Sequence, residues 1–423
     1  QSMKKLYSLI DKIYRKENLL EAFRRVKRNH GAPGIDGETV EAFAAELDER
    51  IEFLHEALKT KTYTPSPVRR TVIEKPDGGT RPLGIPTVTD RVVQQAIVNI
   101  IEPHFDKHFH PSSYGYRKGK SQQQAVAKAE RFLNYYGLPH VVDMDLSKCF
   151  DTLDHDRIIA SINQRISDGR VLELIRSFLI AGVMEDGNFT DTEVGSPQGG
   201  VISPLICNIY LDYFDQKMKN KGIRIIRYAD DILIFARTKQ QAGNYRAYAT
   251  KVLEEEMKLT VNKEKTSVTC VNNGVSYLGF VIYPKWVTVN PKRVKRFKDK
   301  VRRITRRNAG RPIEEVTREL NPVLRGWMNY YRAANIKGLA MEIMAWIRRR
   351  LRMIRMKQWK TYKKMHKEMR RKGLQIRDKM DVRRWKNSKV HIIHLLMPNQ
   401  YFLDMGLIDL CSYDVGLLSN YRE

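Results

Sequence analysis

The sequence predicts an α+β protein that continues into a helical, strongly basic carboxyl-terminal part. Before about residue 289, segments with helical spacing of apolar residues alternate with short runs of apolar and β-branched residues, as in an α+β or α/β core. After that point, two segments combine helical spacing with a large excess of lysine and arginine. A chain of 423 residues is long enough for two or three domains.

Each element before residue 289 follows from a local pattern. Leu6, Leu9, Ile10 and Ile13 form an apolar stripe at helical spacing, and the segment NHGAPGIDG then ends that helix. A Pro-Asp-Gly-Gly turn between two extended runs predicts a β-hairpin. The predicted elements are helices at 3–28 and 38–60, the hairpin at 63–87, helices at 89–107, 120–136 and 155–183, a strand beginning at 140, a helix opened by the glycine-rich segment 195–218, a hairpin at 223–238, a helix at 240–257, and strands at 259–270 and 275–289.

The charge of the chain points to a polyanionic partner. Lysine and arginine number 76 against 48 acidic residues, a formal net charge of +28. Nucleic acid is the simplest partner for such an excess. An anionic membrane is the alternative, but the sequence has no apolar run near the roughly 18 residues of a membrane span and no signal-peptide pattern. We therefore expect a cytoplasmic protein that binds nucleic acid and no membrane.

The cysteines indicate neither a disulfide framework nor a zinc ribbon. Cys149, Cys207, Cys270 and Cys411 lie far apart and form no C-x-x-C pair. This spacing agrees with a reducing compartment.

Two segments near the carboxyl terminus carry most of the basic excess. Residues 291–307 hold ten basic residues against one acidic residue, and 346–372 hold thirteen against one. Each segment predicts one amphipathic helix with a basic face, whereas a merely solvated face normally mixes both signs. We expect nucleic acid to contact the second helix at Arg348, Arg349 and Arg350.

Two adjacent aspartates interrupt the apolar hairpin IRIIRYADDILIFART at 223–238. Because burying an unpaired carboxylate is costly, Asp230 and Asp231 either lie in a solvated turn or bind a cation such as Mg²⁺. In the strand VVDMDLSKCFD, Asp143 and Asp145 share one side by the two-residue period. If that strand lies beside the hairpin, one of them meets Asp230 and Asp231, which predicts a two-metal site.

Seven ordered motifs resemble those of reverse transcriptases. DMDLSKCFD at 143–151, GSPQGGVISPLICNIYLD at 195–212, YADD at 228–231 and SYLGFVIY at 276–283 are similar to successive blocks of that family. NHGAPGIDG, KPDGGTRPLGIP and LRGWMNYYR at 324–332 narrow the resemblance to the group II intron-encoded reverse transcriptases, also called maturases. The resemblance covers nearly the whole chain and implies a right-hand polymerase, in which fingers and palm precede a helical thumb and a small carboxyl-terminal helical domain.

The resemblance also implies function and domain limits. It implies an RNA-directed DNA polymerase that copies RNA into cDNA by two-metal nucleotidyl transfer and binds its intron RNA to assist splicing and retrohoming. The implied cofactor is a pair of Mg²⁺ ions, and the implied partners are intron RNA, an RNA template with a DNA or RNA primer, target DNA and dNTPs. The implied domains are an amino-terminal extension at 1–37, fingers and palm at 38–289, a thumb or maturase X domain at 290–365 and a DNA-binding domain at 366–423.

Single residues take roles from the same resemblance. Asp145, Asp230 and Asp231 match the catalytic metal-binding aspartates, whereas Asp143 is expected to be structural. Phe150 matches the aromatic residue that lies under the nucleotide sugar and excludes a 2′-hydroxyl.

Four further residues match substrate contacts of the family. Lys75 and Arg81 match fingers residues that grip the triphosphate, a role that suits an ammonium and a guanidinium group. Gln198 matches a residue that positions the nucleotide. Lys265 matches a lysine proposed as general acid for pyrophosphate, with a surface lysine at a strand edge as the equal alternative. Intron RNA is expected to contact the amino-terminal helix at Arg24, Arg25, Lys27 and Arg28.

Two other functions stay open beside the polymerase. One is a non-catalytic, RNA-binding splicing cofactor, and the other is a bacterial reverse transcriptase used in defence or repair. An RNA-directed RNA polymerase would share the carboxylates, but Phe150 argues against it. Cys149 stands where relatives often carry a second aromatic residue, and no cysteine-rich endonuclease is seen, which is typical of a compact, class-C-like intron protein.

Overall fold

The computed structural model contains two compact units, Gln1–Val271 and Asn272–Glu423. The residues that it describes are 6–74, 80–147, 153–184, 200–308, 310–374 and 391–423.

The first unit alternates helices and strands, as predicted. Its helices are α1 (Ile10–Ile13), α2 (Lys16–Asn29), α3 (Val40–Ala45), α4 (Leu47–Lys59), α5 (Val88–Asp106), α6 (Gln122–Asn134), α7 (His155–Asn163), α8 (Gly169–Ile180), α9 (Ser203–Asn220) and α10 (Lys239–Lys251), which continues as a π-helical turn to Glu256. Its strands are β1 (Arg69–Glu74), β2 (Thr80–Ile85), β3 (His140–Met144), β4 (Arg224–Tyr228), β5 (Asp231–Ala236) and β6 (Ser267–Cys270).

Four of these strands form an antiparallel sheet in the order β4-β5-β3-β6. In it, Met144 of β3 lies opposite Ile232 of β5. The strand that leads to Asp145 therefore lies beside the aspartate hairpin, which is the condition on which the predicted two-metal site depends. Strands β1 and β2 form the separate predicted hairpin, whose turn at 75–79 lies outside the described residues.

The amino-terminal helices bury the apolar residues that predict them. Leu19, Phe23 and Val26 of α2 are buried, and Phe23 stacks on Phe43 of α3 with ring centroids 5.1 Å apart. Burial of side chains of this size contributes about 1.5–3 kcal/mol each. This packing, together with contacts of α2 to α5, builds the core on which the site rests.

Each of the two helices predicted near the amino terminus is divided into two helices in the structure. The helix predicted at 3–28 is interrupted at Arg15, whose backbone is extended (φ −54°, ψ 136°). The helix predicted at 38–60 is interrupted at Glu46 (φ −115°, ψ 30°). Neither interruption carries glycine or proline, so the usual sequence signals of a helix break were absent.

The second unit begins with a three-stranded antiparallel sheet and continues as helices. Its elements are β7 (Val275–Tyr277), β8 (Phe280–Ile282), β9 (Val287–Val289), α11 (Pro291–Ile304), α12 (Ile313–Tyr331), α13 (Lys337–Trp359), α14 (Tyr362–Arg371), α15 (His391–Leu396) and α16 (Asn399–Asp404).

The sheet of the second unit packs against the helices that follow it. Tyr330 of α12 donates from its hydroxyl to the Leu278 carbonyl at 2.8 Å, and its ring stacks on Phe280 at 5.5 Å. These contacts hold the sheet against α12 within the unit Asn272–Glu423, and the domain limits expected from the sequence remain predictions.

The basic segment 346–372 is two helices and not the single helix predicted. Lys360 lies between α13 and α14 with φ 57°, a left-handed conformation that non-glycine residues seldom adopt. No described helix is long and apolar enough to cross a membrane.

Candidate active site

The turn between β4 and β5 presents the two adjacent aspartates. Tyr228 pairs with Asp231, so Ala229 and Asp230 form a two-residue hairpin turn. Ala229 has φ 55°, in the left-handed region. Gly115 lies against the turn so closely that a Cβ at this position would be 2.3 Å from the Ala229 nitrogen. Only glycine at 115 therefore permits this packing of backbone on backbone.

Asp230 has a buried oxygen without a hydrogen-bond partner, its Oδ1. Burial raises the pKa of Asp230 to about 6; the charge of Asp145 adds to this rise, while the backbone N–H of Asp230 and the charge of Arg227 oppose it. Buried polar atoms normally find partners, and an orphaned one needs an explanation. A bound hard cation would provide the missing partner.

Asp145 lies at the same end of the sheet as the turn. It follows Met144, the last residue of β3. Its backbone N–H donates to Thr266 Oγ1 at 3.2 Å, and its carbonyl accepts from the Asn262 N–H at 2.8 Å. Burial raises the pKa of Asp145, and the charge of Lys265 opposes that rise. The backbone of Asp145 is thus fixed on both sides, and its carboxyl group lies within electrostatic reach of Lys265.

The other two predicted carboxylates belong to the same sheet. Asp231 begins β5, and Asp143 pairs with Leu233. Burial, followed by the charge of Asp145, raises the pKa of Asp143 to about 6. The charge of Asp145 also raises the pKa of Asp230, so these two carboxyl groups lie close enough to interact electrostatically.

The carboxylates fit Mg²⁺ as a site that substrate would complete. Among the described residues, no group of three His, Cys, Asp or Glu side chains is arranged to hold a metal ion by itself. Mg²⁺ is usually held by one or two carboxylates plus substrate phosphates, and it takes oxygen ligands. The carboxylate of Asp145 and the orphaned oxygen of Asp230 are oxygen donors of this kind, and Asp231 is the neighbouring carboxylate.

The predicted substrate contacts are only partly among the described residues. Lys265 is exposed just before β6, and its charge acts on Asp145. The backbone of Arg81 lies in β2, whereas its side chain is not described. Their roles remain predictions, as do those of three residues in segments outside the described part of the chain, namely Lys75, Phe150 and Gln198.

Two family matches cover consecutive parts of the chain. Residues 73–282 match the reverse transcriptase (RNA-dependent DNA polymerase) family, and residues 294–373 match the group II intron maturase-specific domain. The chain belongs to the group II intron-encoded reverse transcriptases. As a member of that family, this maturase is an RNA-directed DNA polymerase that assists intron splicing.

Two relatives illustrate the extent of the similarity. Protein YkfC of Escherichia coli is 34% identical to the maturase over 314 residues, which cover 65% of this chain and 82% of YkfC. The group II intron-encoded protein LtrA of Lactococcus lactis is 29% identical over 328 residues, which cover 62% of this chain and 54% of LtrA. The maturase thus spans about half the length of LtrA.

The amino-terminal basic residues of the maturase project from α2. Arg24, Arg25 and Arg28 share one acidic partner, Glu21, at N–O distances of 3.5, 3.5 and 3.7 Å. All three arginines and Lys27 are exposed. One carboxylate among four cations leaves net positive charge on this face, as binding to phosphates requires, and the RNA contact itself remains a prediction.

The three arginines predicted on α13 differ in their surroundings. Arg348 lies 3.4 Å from Asp409. Arg350 donates to Thr305, at 2.6 Å to Oγ1 and at 3.3 Å to the carbonyl. Arg349 is exposed. Arg349 is therefore the best placed of the three for a phosphate contact, because the other two guanidinium groups are bound within their own unit.

Arg349→Gln is expected to make the plot of log affinity against log salt concentration for an RNA–DNA duplex shallower. The magnitude of its negative slope should fall by about one, because each phosphate contact releases condensed counterions. Arg350→Gln is the matched control. It should keep the slope and lower the melting temperature, since it removes the hydrogen bonds to Thr305. Equilibrium binding over a range of KCl concentrations measures both. If Arg349→Gln keeps the wild-type slope, this part of α13 only faces solvent.

One buried ion pair beneath the turn was missed by the sequence analysis. Arg227 of β4 and Asp215 of α9 are both fully buried and lie 2.8 Å apart. The available signal was an arginine inside an otherwise apolar strand, next to the YADD motif. Because arginine is rarely buried without a partner, Arg227 in this strand indicates an acidic residue packed against it.

Proposed function

We propose that this chain copies RNA into cDNA from dNTPs with two Mg²⁺ ions, and that it binds its own intron RNA to assist splicing and retrohoming into target DNA. The observation that carries the proposal is that Asp145 and Asp230 lie at the same end of the sheet, and that Oδ1 of Asp230 is buried without a hydrogen-bond partner. Clustered carboxylates have no evident use in a purely RNA-binding chain of net charge +28.

The carboxylates and the residues that fix the turn have different roles in the proposed reaction. Asp145 and Asp230 would hold the ions, with Asp231 beside them. When bound, such ions would supply activation of the primer 3′-hydroxyl and charge stabilisation of the leaving pyrophosphate. Gly115 and Ala229 keep the turn in one conformation, so that the Asp230 carboxylate is in place before substrate arrives. Because the pKa of Asp230 is about 6 without metal, protons compete with the ions below that pH.

The substrate-binding roles extend this assignment. Lys75 and Arg81 grip the triphosphate, and Gln198 positions the nucleotide. Lys265 acts near Asp145, where it can give a proton to the leaving pyrophosphate. Phe150 closes the space that a 2′-hydroxyl would need.

Phe150→Ala is expected to admit ribonucleotides, because it removes the ring that excludes the 2′-hydroxyl. Steric discrimination of this kind is worth a few kcal/mol, so the preference for dNTP over rNTP should fall about tenfold or more. The measurement is the ratio of the two incorporation efficiencies, with Phe150→Tyr as the control that keeps the ring. A ratio unchanged by alanine would place the discrimination at another residue.

Primer extension on an RNA template tests the polymerase half of the proposal. We expect cDNA from dNTPs and Mg²⁺, and none after chelation. No extension by the folded protein on any primed template would instead favour the non-catalytic splicing cofactor.

Splicing of the intron RNA tests the other half. Asp230→Ala should bind intron RNA and promote splicing while making no cDNA, because RNA is held by phosphate and 2′-hydroxyl contacts over basic surfaces away from the carboxylates. Neutralising Arg24, Arg25 and Arg28 should instead weaken intron binding more than extension of a short duplex. Loss of splicing in Asp230→Ala, or equal binding to a size-matched control RNA, would contradict the maturase half.

A further inference from the structure

The guanidinium group of Arg227 lies at the centre of a fully buried hydrogen-bond network. Its Nε donates to the two oxygens of Asp215 at 2.9 and 3.0 Å, and Nη2 donates to Asp215 Oδ2 at 2.8 Å. Neither side chain is exposed to any extent. The pair therefore joins strand β4 to helix α9 in the interior of the first unit.

The remaining N–H groups of Arg227 reach the turn and the residues behind it. Nη1 donates to the Ala229 carbonyl at 2.7 Å and to Asn208 Oδ1 at 2.9 Å. Nη2 also donates to Ser113 Oγ at 3.0 Å. An arginine has five N–H donors, and all five are used here.

The hydrogen bond to the Ala229 carbonyl bears directly on Asp230. That carbonyl belongs to the peptide that joins Ala229 to Asp230, so holding it fixes the orientation of this peptide. Ala229 itself has φ 55°, a conformation that persists in alanine only where its surroundings enforce it. Asn208, which accepts from Arg227, also donates to the Gly115 carbonyl at 2.8 Å. Arg227 and Gly115 thus hold the turn from two sides.

A purely stabilising role is a weak explanation for such a pair. Replacing a buried ion pair by apolar residues of similar volume often leaves stability unchanged or raises it, because desolvation of the charges offsets their attraction. The five fixed directions of the guanidinium group give geometry that an apolar pair cannot give.

We propose that Arg227 is a positioning residue for nucleotidyl transfer, which holds the Ala229–Asp230 peptide so that the Asp230 carboxylate stays in its metal-binding position. Asp215 orients the guanidinium group, and Asn208 links it to the backbone at Gly115. The inference rests on the proposed role of Asp230 as a metal ligand.

The decisive variant replaces the pair by apolar residues, Arg227→Met with Asp215→Leu. We expect a somewhat lower melting temperature, because buried Asn208 Oδ1 and the Ala229 carbonyl lose their donor. We also expect a turnover number for dNTP addition about tenfold to 100-fold lower and a higher Mg²⁺ concentration at half-maximal rate, because the loss of fixed geometry slows catalysis. The wild-type turnover number and Mg²⁺ requirement in this variant would overturn the inference.

A matched control separates positioning from general stability. Asp168 is also a buried carboxylate, and it accepts from the N–H groups of Leu9, Ile10 and Arg170. Asp168→Asn should lower the melting temperature and keep the wild-type Mg²⁺ requirement. A rise in the Mg²⁺ requirement equal to that of the double variant would show that any loss of stability has this effect, and would also overturn the inference.

Two further measurements keep the test decisive. If the double variant does not fold, Arg227→Lys takes its place, because lysine keeps the charge beside Asp215 but lacks the planar fork. We expect the same rise in Mg²⁺ requirement, and a wild-type requirement would contradict the inference.

The second measurement is the binding of Mn²⁺ without substrate. Binding to the site is the part of the total that Asp230→Ala loses. This part should weaken about tenfold in either Arg227 variant, as losses of groups that orient metal ligands typically do. A wild-type protein that makes no cDNA refutes the proposed function, whereas unchanged Mn²⁺ binding refutes the role of Arg227.

Discussion

Asp230→Ala and Asp145→Ala are each expected to abolish cDNA synthesis, with a fall in rate of more than about 1,000-fold. Each removes a proposed oxygen ligand of the Mg²⁺ ions, and we expect the loss of a metal ligand to exceed the 100- to 1,000-fold cost of a single hydrogen-bond donor. Single-turnover primer extension with saturating dNTP and Mg²⁺ measures the effect.

Asp143→Asn is the matched control for these two variants. Asp143 lies in the same strand region as Asp145, and burial raises its pKa to about 6 as it does for Asp230, yet we expect its role to be structural. The Asp143 variant should therefore keep most of the activity. Full extension by both alanine variants would contradict the assignment of the site. If Asp143→Asn were equally inactive, Asp143 would be one of the metal ligands.

Asp230→Asn is expected to stabilise the metal-free protein at alkaline pH. Burial raises the pKa of Asp230 from 3.8 to about 6, so the folded state holds this proton more tightly than the unfolded state does. The stabilisation from that proton is complete below the unfolded pKa and is lost as the pH rises through about 6. An uncharged amide avoids the loss, which amounts to at most about 3 kcal/mol for a shift of this size.

The measurement is urea unfolding of both proteins in EDTA at several pH values. The two free energies of unfolding should agree near pH 4 and diverge between pH 4 and pH 6, with the asparagine variant more stable at pH 8. Asp231→Asn serves as the comparison at the neighbouring carboxylate. If the difference between Asp230→Asn and the wild type is the same at all pH values, burial of the Asp230 charge is not its cause.

The strand and the hairpin at the site could each be predicted from the sequence because each depends on a local pattern. The two-residue period placed Asp143 and Asp145 on one side of a strand, and apolar runs on both sides of Asp230 and Asp231 marked a hairpin. The pairing of β3 with β5 joins segments that are distant in the chain, so no local pattern predicts it.

The helix interruptions could not be predicted from the same patterns. Arg15, Glu46 and Lys360 are common residues in helices, and the chain leaves helical geometry there without glycine or proline. Tertiary packing decides such positions, and it overrides local propensity. Continuous apolar periodicity therefore favoured one helix where two are found.

The network around Arg227 was missed for a different reason. Its partners are Asp215, Asn208 and Ser113, which lie 12, 19 and 114 positions away in the chain. No local spacing relates such residues, and only the folded packing of α9 and β4 brings them together.

The position of β4 at the edge of its sheet has a consequence for solubility. An open edge strand offers unpaired N–H and C=O groups to other molecules and can start aggregation. Here the Arg227 N–H donates to the Ser112 carbonyl, and the Tyr114 N–H donates to the Arg227 carbonyl, each at 2.9 Å. The backbone groups of Arg227 that face outward from the sheet are thus already occupied. A strand from a second molecule cannot join the sheet at this point, next to the catalytic turn, without first displacing residues 112–114.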